Sequence, residues 1–115
     1  ILPYTGTAMP MINIEYDDAK VPERDVQALS VAVRDIVSKA TGIEDVFVYA
    51  NSAKVKVEVA PIEVLVRMTA GKIKDKDALM ADLKSKVVDW KRSSGFTHPI
   101  NLTLIPMNWK VEIGI

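Results

Sequence analysis

Apolar positions along this chain switch between two spacings, and the switch happens twice. Met11, Ile12 and Ile14 with Tyr16 form a β-prone run closed by Asp17-Asp18. Lys20-Val21-Pro22-Glu23 then reads as a helix entrance. Proline suits a first turn, where its missing N–H is no loss, and acids there favour the positive end of the helix dipole. Val26, Leu29, Val33, Ile36, Val37 and Ala40 follow helical spacing on one face before Gly42, predicting a helix over about residues 22–41. Val46-Phe47-Val48-Tyr49 is the next strand, and Asn51-Ser52 is a turn signal. Val55, Val57 and Val59 alternate with Lys54, Lys56 and Glu58, which predicts a further strand with one wet face, in a hairpin with the one before it.

The second half repeats this order. Residues 61–68 are again a strand headed by proline, Thr69-Ala70-Gly71 is a loop, and a helix is predicted over about residues 74–92. Leu79, Met80, Leu83, Val87 and Trp90 carry its helical spacing, and Ser93-Ser94-Gly95 ends it. Ile100, Leu102 and Leu104 alternate in another strand, Pro106 interrupts, and residues 109–113 alternate as a last short strand. Pro61 repeats Pro10 after 51 positions. The helix cores repeat after 54: Val26 with Met80, Leu29 with Leu83, Val33 with Val87, Ile36 with Trp90. Each half is strand, helix, strand, with a crossover long enough for a parallel pair. The expectation is an α+β fold: two βαβ repeats, about residues 10–50 and 61–105, forming a four-stranded sheet with two helices on one face. Residues 10–115 would be one domain, and residues 1–9 an N-terminal extension or tag remnant.

Helices on one face leave the other open, yet the strands carry apolar side chains on both alternations: Met11, Ile12 and Ile14; Val64, Leu65 and Val66; Leu102, Leu104 and Ile105. Apolar surface of that extent marks an interface, so self-association through the sheets is expected, and residues 109–113 are a candidate for adding to a neighbour's sheet edge. Fifteen basic and fifteen acidic residues cancel, which gives little electrostatic resistance to association. The same balance lacks the basic footprint of a nucleic-acid binder. An apolar fraction of 49% with 26% charged residues is that of a globular domain, and no apolar run approaches the ~18 residues of a membrane helix. There is no cysteine and His98 is the only histidine, so thiolate, zinc-thiolate and histidine-triad chemistry lack their parts, and neither metal nor cofactor is expected. Residues 1–8 are too short, and lack the charged head, for an intact signal peptide, and a cytoplasmic location is expected. Leu2-Pro3-Tyr4-Thr5-Gly6 spells a sortase sorting signal, but such signals stand near a C-terminus before an apolar tail, so it is read as an accidental match or a linker scar.

Several short motifs, in order, resemble the tautomerase superfamily and within it the macrophage migration inhibitory factor branch. They are Met9-Pro10-Met11-Ile12 at the first strand, Val21-Pro22 at the helix entrance, Ala40-Thr41-Gly42 at its end, Gly71-Lys72-Ile73 after the second proline-headed strand, and Met107-Asn108. The resemblance covers about residues 10–109. It implies a homotrimer of pseudo-two-fold monomers, sheets inside and helices outside. It also implies cofactor-free keto–enol tautomerisation or isomerisation of a small enolisable carboxylate, with an amino-terminal proline, here Pro10, as the acid–base group. A free α-amino group has a pKa near ~8, and partial burial lowers it further, so it can act as a base near neutrality. The backbone near Thr69 and Ala70 would hold the developing enolate oxygen. Lys20, Lys72 and Asn101 stand at the remaining substrate-binding positions. The chain departs from the branch at two positions: Ile43 follows Ala-Thr-Gly where a lysine is expected, and Asn101 stands where a tyrosine is expected.

Plainer readings stand beside these. Pro10 follows Met9, so in this sequence its nitrogen is an amide without useful basicity, and Pro61 is an equivalent proline that cannot be a terminus. A strand-initial proline needs no chemistry. Lys20, Lys54, Lys56 and Lys72 read as solvated, His98 as a solvated loop histidine, and Asp17-Asp18 as turn residues. The alternative function is a non-catalytic binding or assembly protein on the same fold. A ferredoxin-like βαββαβ regulatory domain is a third reading.

Overall fold

A computed structural model describes residues 10–115, so the expected extension and its sorting-signal match lie outside the described residues. The order is β1 (Met11–Tyr16), α1 (Glu23–Thr41), β2 (Phe47–Asn51), β3 (Ile62–Thr69), α2 (Lys76–Ser94) and β4 (Asn101–Met107). The strands form one sheet in the order β2-β1-β3-β4. β1 runs parallel to β2, β3 parallel to β4, and the two halves meet antiparallel at β1 and β3. In each βαβ half the two strands are direct neighbours. That separates this sheet from a ferredoxin-like arrangement, which splits the pair with another strand.

The core explains the patterning. Ile12 and Ile14 from β1 and Ile62, Val64 and Val66 from β3 are buried against Val26, Leu29, Val33 and Val37 of α1 and Leu83 of α2. One alternation of the sheet therefore takes both helices. The repeat holds in packing: Leu29 and Leu83 are both fully buried, Val33 and Val87 are both buried, and Ile36 and Trp90 both pack at the margin. Full burial of each such aliphatic side chain is worth about 1.5–3 kcal/mol, so this shared cluster dominates the stability of the fold.

Both helices stop at a glycine in the left-handed region, Gly42 at φ 73° and Gly95 at φ 75°. Their N–H groups close the last turns on Ser38 O at 2.8 Å and Lys91 O at 3.0 Å. The starts differ. Pro22 precedes α1 with no side-chain cap, whereas Asp75 Oδ1 accepts from the N–H groups of Asp77 and Ala78, both at 3.0 Å. That cap is why α2 begins two residues later than its apolar spacing predicts.

Three strand expectations are corrected. The valine alternation at residues 55–59 is no strand: residues 52–61 are an irregular strap, with Val55 85% and Val57 99% exposed. Among residues 53–59 only Lys56 turns inward, and Val55 and Val57 face out. Residues 108–115 also leave the sheet, and among the described residues they pair with no strand. Conversely, β4 runs through Pro106 to Met107, as an edge strand tolerates the missing N–H.

Candidate functional site

Pro10 enters β1 as a buried residue whose carbonyl accepts from Phe47 N at 3.2 Å. Met11 stands opposite Arg67, so the next antiparallel step sets Pro10 against Met68, which is 1% exposed. Beyond Met68, Thr69 ends β3, and residues 70–72 make a single tight turn closed by Ile73 N to Ala70 O at 3.1 Å. Thr69 Oγ1 accepts from the Trp109 indole N–H at 2.8 Å, which fixes the start of the C-terminal segment over the sheet end. Lys72 is exposed and lines a cleft of about 340 Å³ with Thr41, Ile43, Met68, Ile73 and Leu79. Pro10, Thr69, Ala70 and Lys72 thus gather at one end of the sheet.

The other two candidates lie at the opposite end. Lys20 is an exposed side chain in the turn after β1, six strand residues from Pro10, roughly 20 Å along the strand. Asn101 opens β4 in register with Glu63, and its Nδ2 donates to Glu63 Oε1 at 3.0 Å. Within one chain, neither reaches Pro10. Beside Glu63 is a cleft of about 320 Å³ between the sheet end and the strap, lined by Glu15, Tyr16, Asn51, Lys56, Glu58 and Glu63.

Three polar side chains carry more of this architecture than the sequence pattern alone predicts. Lys56 Nζ reaches across 39 residues to Asp17 Oδ1 at 3.2 Å, and also bonds Asp18 and Ser52. The Asp17 carboxyl is held below its ordinary range, first by the Ala19 N–H at 3.0 Å and then by Lys56. The Lys56 ammonium is raised, first by Asp18 and then by Asp17, against the opposing effect of burial. His98 is not freely solvated: Nε2 lies 2.9 Å from Asp25 Oδ2, and its ring meets Phe96 edge-on with centroids 5.1 Å apart. Arg67 is half-buried on the open sheet face and donates to Asn13 Oδ1. Its only sequence signal is one charge inside the apolar run Val64-Leu65-Val66-Arg67-Met68.

Across the open face, the register sets three rows. They are Phe47-Met11-Arg67-Ile105, Tyr49-Asn13-Leu65-Thr103 and Asn51-Glu15-Glu63-Asn101. Phe47 and Tyr49 are 40% and 51% exposed, so no part of the described chain covers them. Among the described residues, no group of three or more His, Cys, Asp or Glu is placed to hold a metal ion, and no helix is long and apolar enough to cross a membrane.

No family model matches the sequence, and no curated protein matches it. Solved structures do. A fused 4-OT wild-type asymmetric trimer is 14% identical, with TM-score 0.63 over 90% of this chain and 92% of that one. A 5-carboxymethyl-2-hydroxymuconate isomerase from Deinococcus radiodurans R1 is 15% identical, with TM-score 0.62 over 91% and 90%. A macrophage migration inhibitory factor-like protein from Entamoeba histolytica is 14% identical, with TM-score 0.52 over 92% and 96%. At such identities the likeness is one of fold, and it extends over nearly the whole of each chain.

Proposed function

We propose that this chain, which has the tautomerase-superfamily fold, is a cofactor-free tautomerase or isomerase of a small enolisable carboxylate in a form that begins at Pro10. The observation that carries the reading is the buried Pro10 at the head of β1, one residue from the Thr69–Ala70 end of β3 and opposite Met68, which lines the Lys72 cleft. A secondary amine in that setting is disfavoured as the ammonium and is poised to take a proton from the carbon next to a carbonyl. The Thr69 to Ala70 backbone would face the enolate oxygen, and Lys72 would draw the substrate carboxylate. The same amine, now protonated, would return the proton at the other end of the enol. Lys20 and Asn101 enter only through assembly. A head-to-tail homotrimer, joining the Asn101 end of one sheet to the Pro10 end of the next, would unite both groups of residues. We place the protein in the cytoplasm as part of this proposal.

A second reading follows from one observation: in this sequence Pro10 is bonded to Met9, and an amide nitrogen cannot perform this step. The chain would then be a tautomerase-fold binding or assembly protein. The mass of the natural mature protein separates the two. A chain retaining residues ahead of Pro10 excludes proline catalysis. For a chain starting at Pro10, the rate of enol-to-keto conversion of an arylpyruvate should collapse in Pro10→Ala; equal rates would remove the proposal.

A further inference from the structure

The open sheet face has a charge pattern that constrains what can cover it. Arg67 lies in one row and Glu15 and Glu63 in another, four residues along the strands, about 13 Å apart. At that distance they cannot pair within a chain, and across solvent the attraction is screened. Asn13 engages only part of the Arg67 guanidinium, which has five N–H donors. Glu15 and Glu63 are direct cross-strand partners in the antiparallel pair, a like-charge juxtaposition that is unfavourable by itself. Between the two rows lie Tyr49, Asn13, Leu65 and Thr103, so anything that buries this face also desolvates its charged ends.

We propose that Arg67 of one chain pairs with Glu15 and Glu63 of a second copy, and that this pairing sets the order of assembly across the open faces. It rests on the reading that this face is covered by copies of the same chain. The occupant follows from complementarity. A copy that sets Arg67 against Arg67, or the glutamates against the glutamates, buries like charges. A copy arriving head-to-tail supplies a cation to the acidic row and carboxylates to the guanidinium. The apolar members of the face, Phe47, Met11, Leu65 and Ile105, supply the contact, and the charges select its direction.

Charge reversal tests this on the full chain, with molar mass followed by light scattering over a dilution series and folding checked by circular dichroism. Arg67→Glu should raise the concentration of half-dissociation about tenfold or more, and so should Glu15→Arg with Glu63→Arg. Combining the three reversals should bring it back to within about threefold of the unaltered chain. Arg67→Gln, which keeps an uncharged polar side chain able to donate to Asn13, serves if the reversal unfolds the chain. It should weaken assembly and flatten its dependence on salt. A wild-type oligomer that Arg67→Glu and Arg67→Gln leave unchanged, or a triple reversal no better than Arg67→Glu alone, would overturn the pairing while leaving the assembly reading intact. A monomeric wild type would overturn both.

Discussion

Lys56 is the residue that pins the connecting strap to the end of β1. Its ammonium joins the strap to Asp17 and Asp18 at the end of β1, and Asp17 is itself buried with its N–H bonded to Pro61 O at 3.0 Å. Lys56→Met should lower the melting temperature between about pH 5 and 9, where both partners are ionised. The sign at each end follows from the shifts. Asp17 is depressed from 3.8, so its contribution is present above that value and is lost as pH falls through the lower folded value. Lys56 is raised from 10.5, so its contribution is present below that value and is lost as pH rises through the higher folded value. Melting curves of the two proteins should therefore converge in strong acid and in strong alkali. A difference that persists below both Asp17 values would assign the loss to packing of the lysine stem. No sequence signal marks this contact, because lysine and valine alternate equally well on a wet strand and on a strap pinned by its charge. His98 is the same case: its partner Asp25 stands 73 positions away on another element.

At the level of elements, the ends of the helices were readable because punctuation is local. Gly42 and Gly95 each hold a positive φ that a Cβ resists, and apart from their own chain neighbours no described residue puts an atom within 4 Å of where that Cβ would stand. Substitution by alanine should therefore cost only the backbone term, about 1–2 kcal/mol at each site, read by urea unfolding. Asp75→Ala removes two backbone hydrogen bonds from α2 and should cost about 1 kcal/mol. A neutral Asp75→Ala would mean that Lys72 to Asp77 is restrained by something other than the cap. The proline-headed strands and both helix faces were legible for the same reason, since each stripe meets one common core. Residues 55–59 and 109–113 were not. A strand is a relation between two segments, and alternation describes only one of them. The candidate site is legible only in part: the resemblance points to Pro10, Thr69, Ala70 and Lys72, which the structure sets at one sheet end, but only the register reveals that Asn101 and Lys20 stand at the far end and that Arg67 shares a face with Met11.

At the scale of the whole molecule, the antiparallel seam between β1 and β3 holds the two halves together, and only residues 52–61 connect them covalently. Each half contributes a complete βαβ unit and one wall of the core. The strap should therefore be dispensable as a bond even where Lys56 makes it useful as a contact. Trypsin should cut first after the exposed Lys54, and the two pieces should remain a single particle with native circular dichroism. Pieces that separate on cleavage would show that the connection, and not the seam, maintains the fold. If they stay together, the chain is in effect two half-length proteins joined by a tether that the fold does not need. Either half could then be made as a separate chain and combined with its partner in trans, with the β1–β3 seam as the joint.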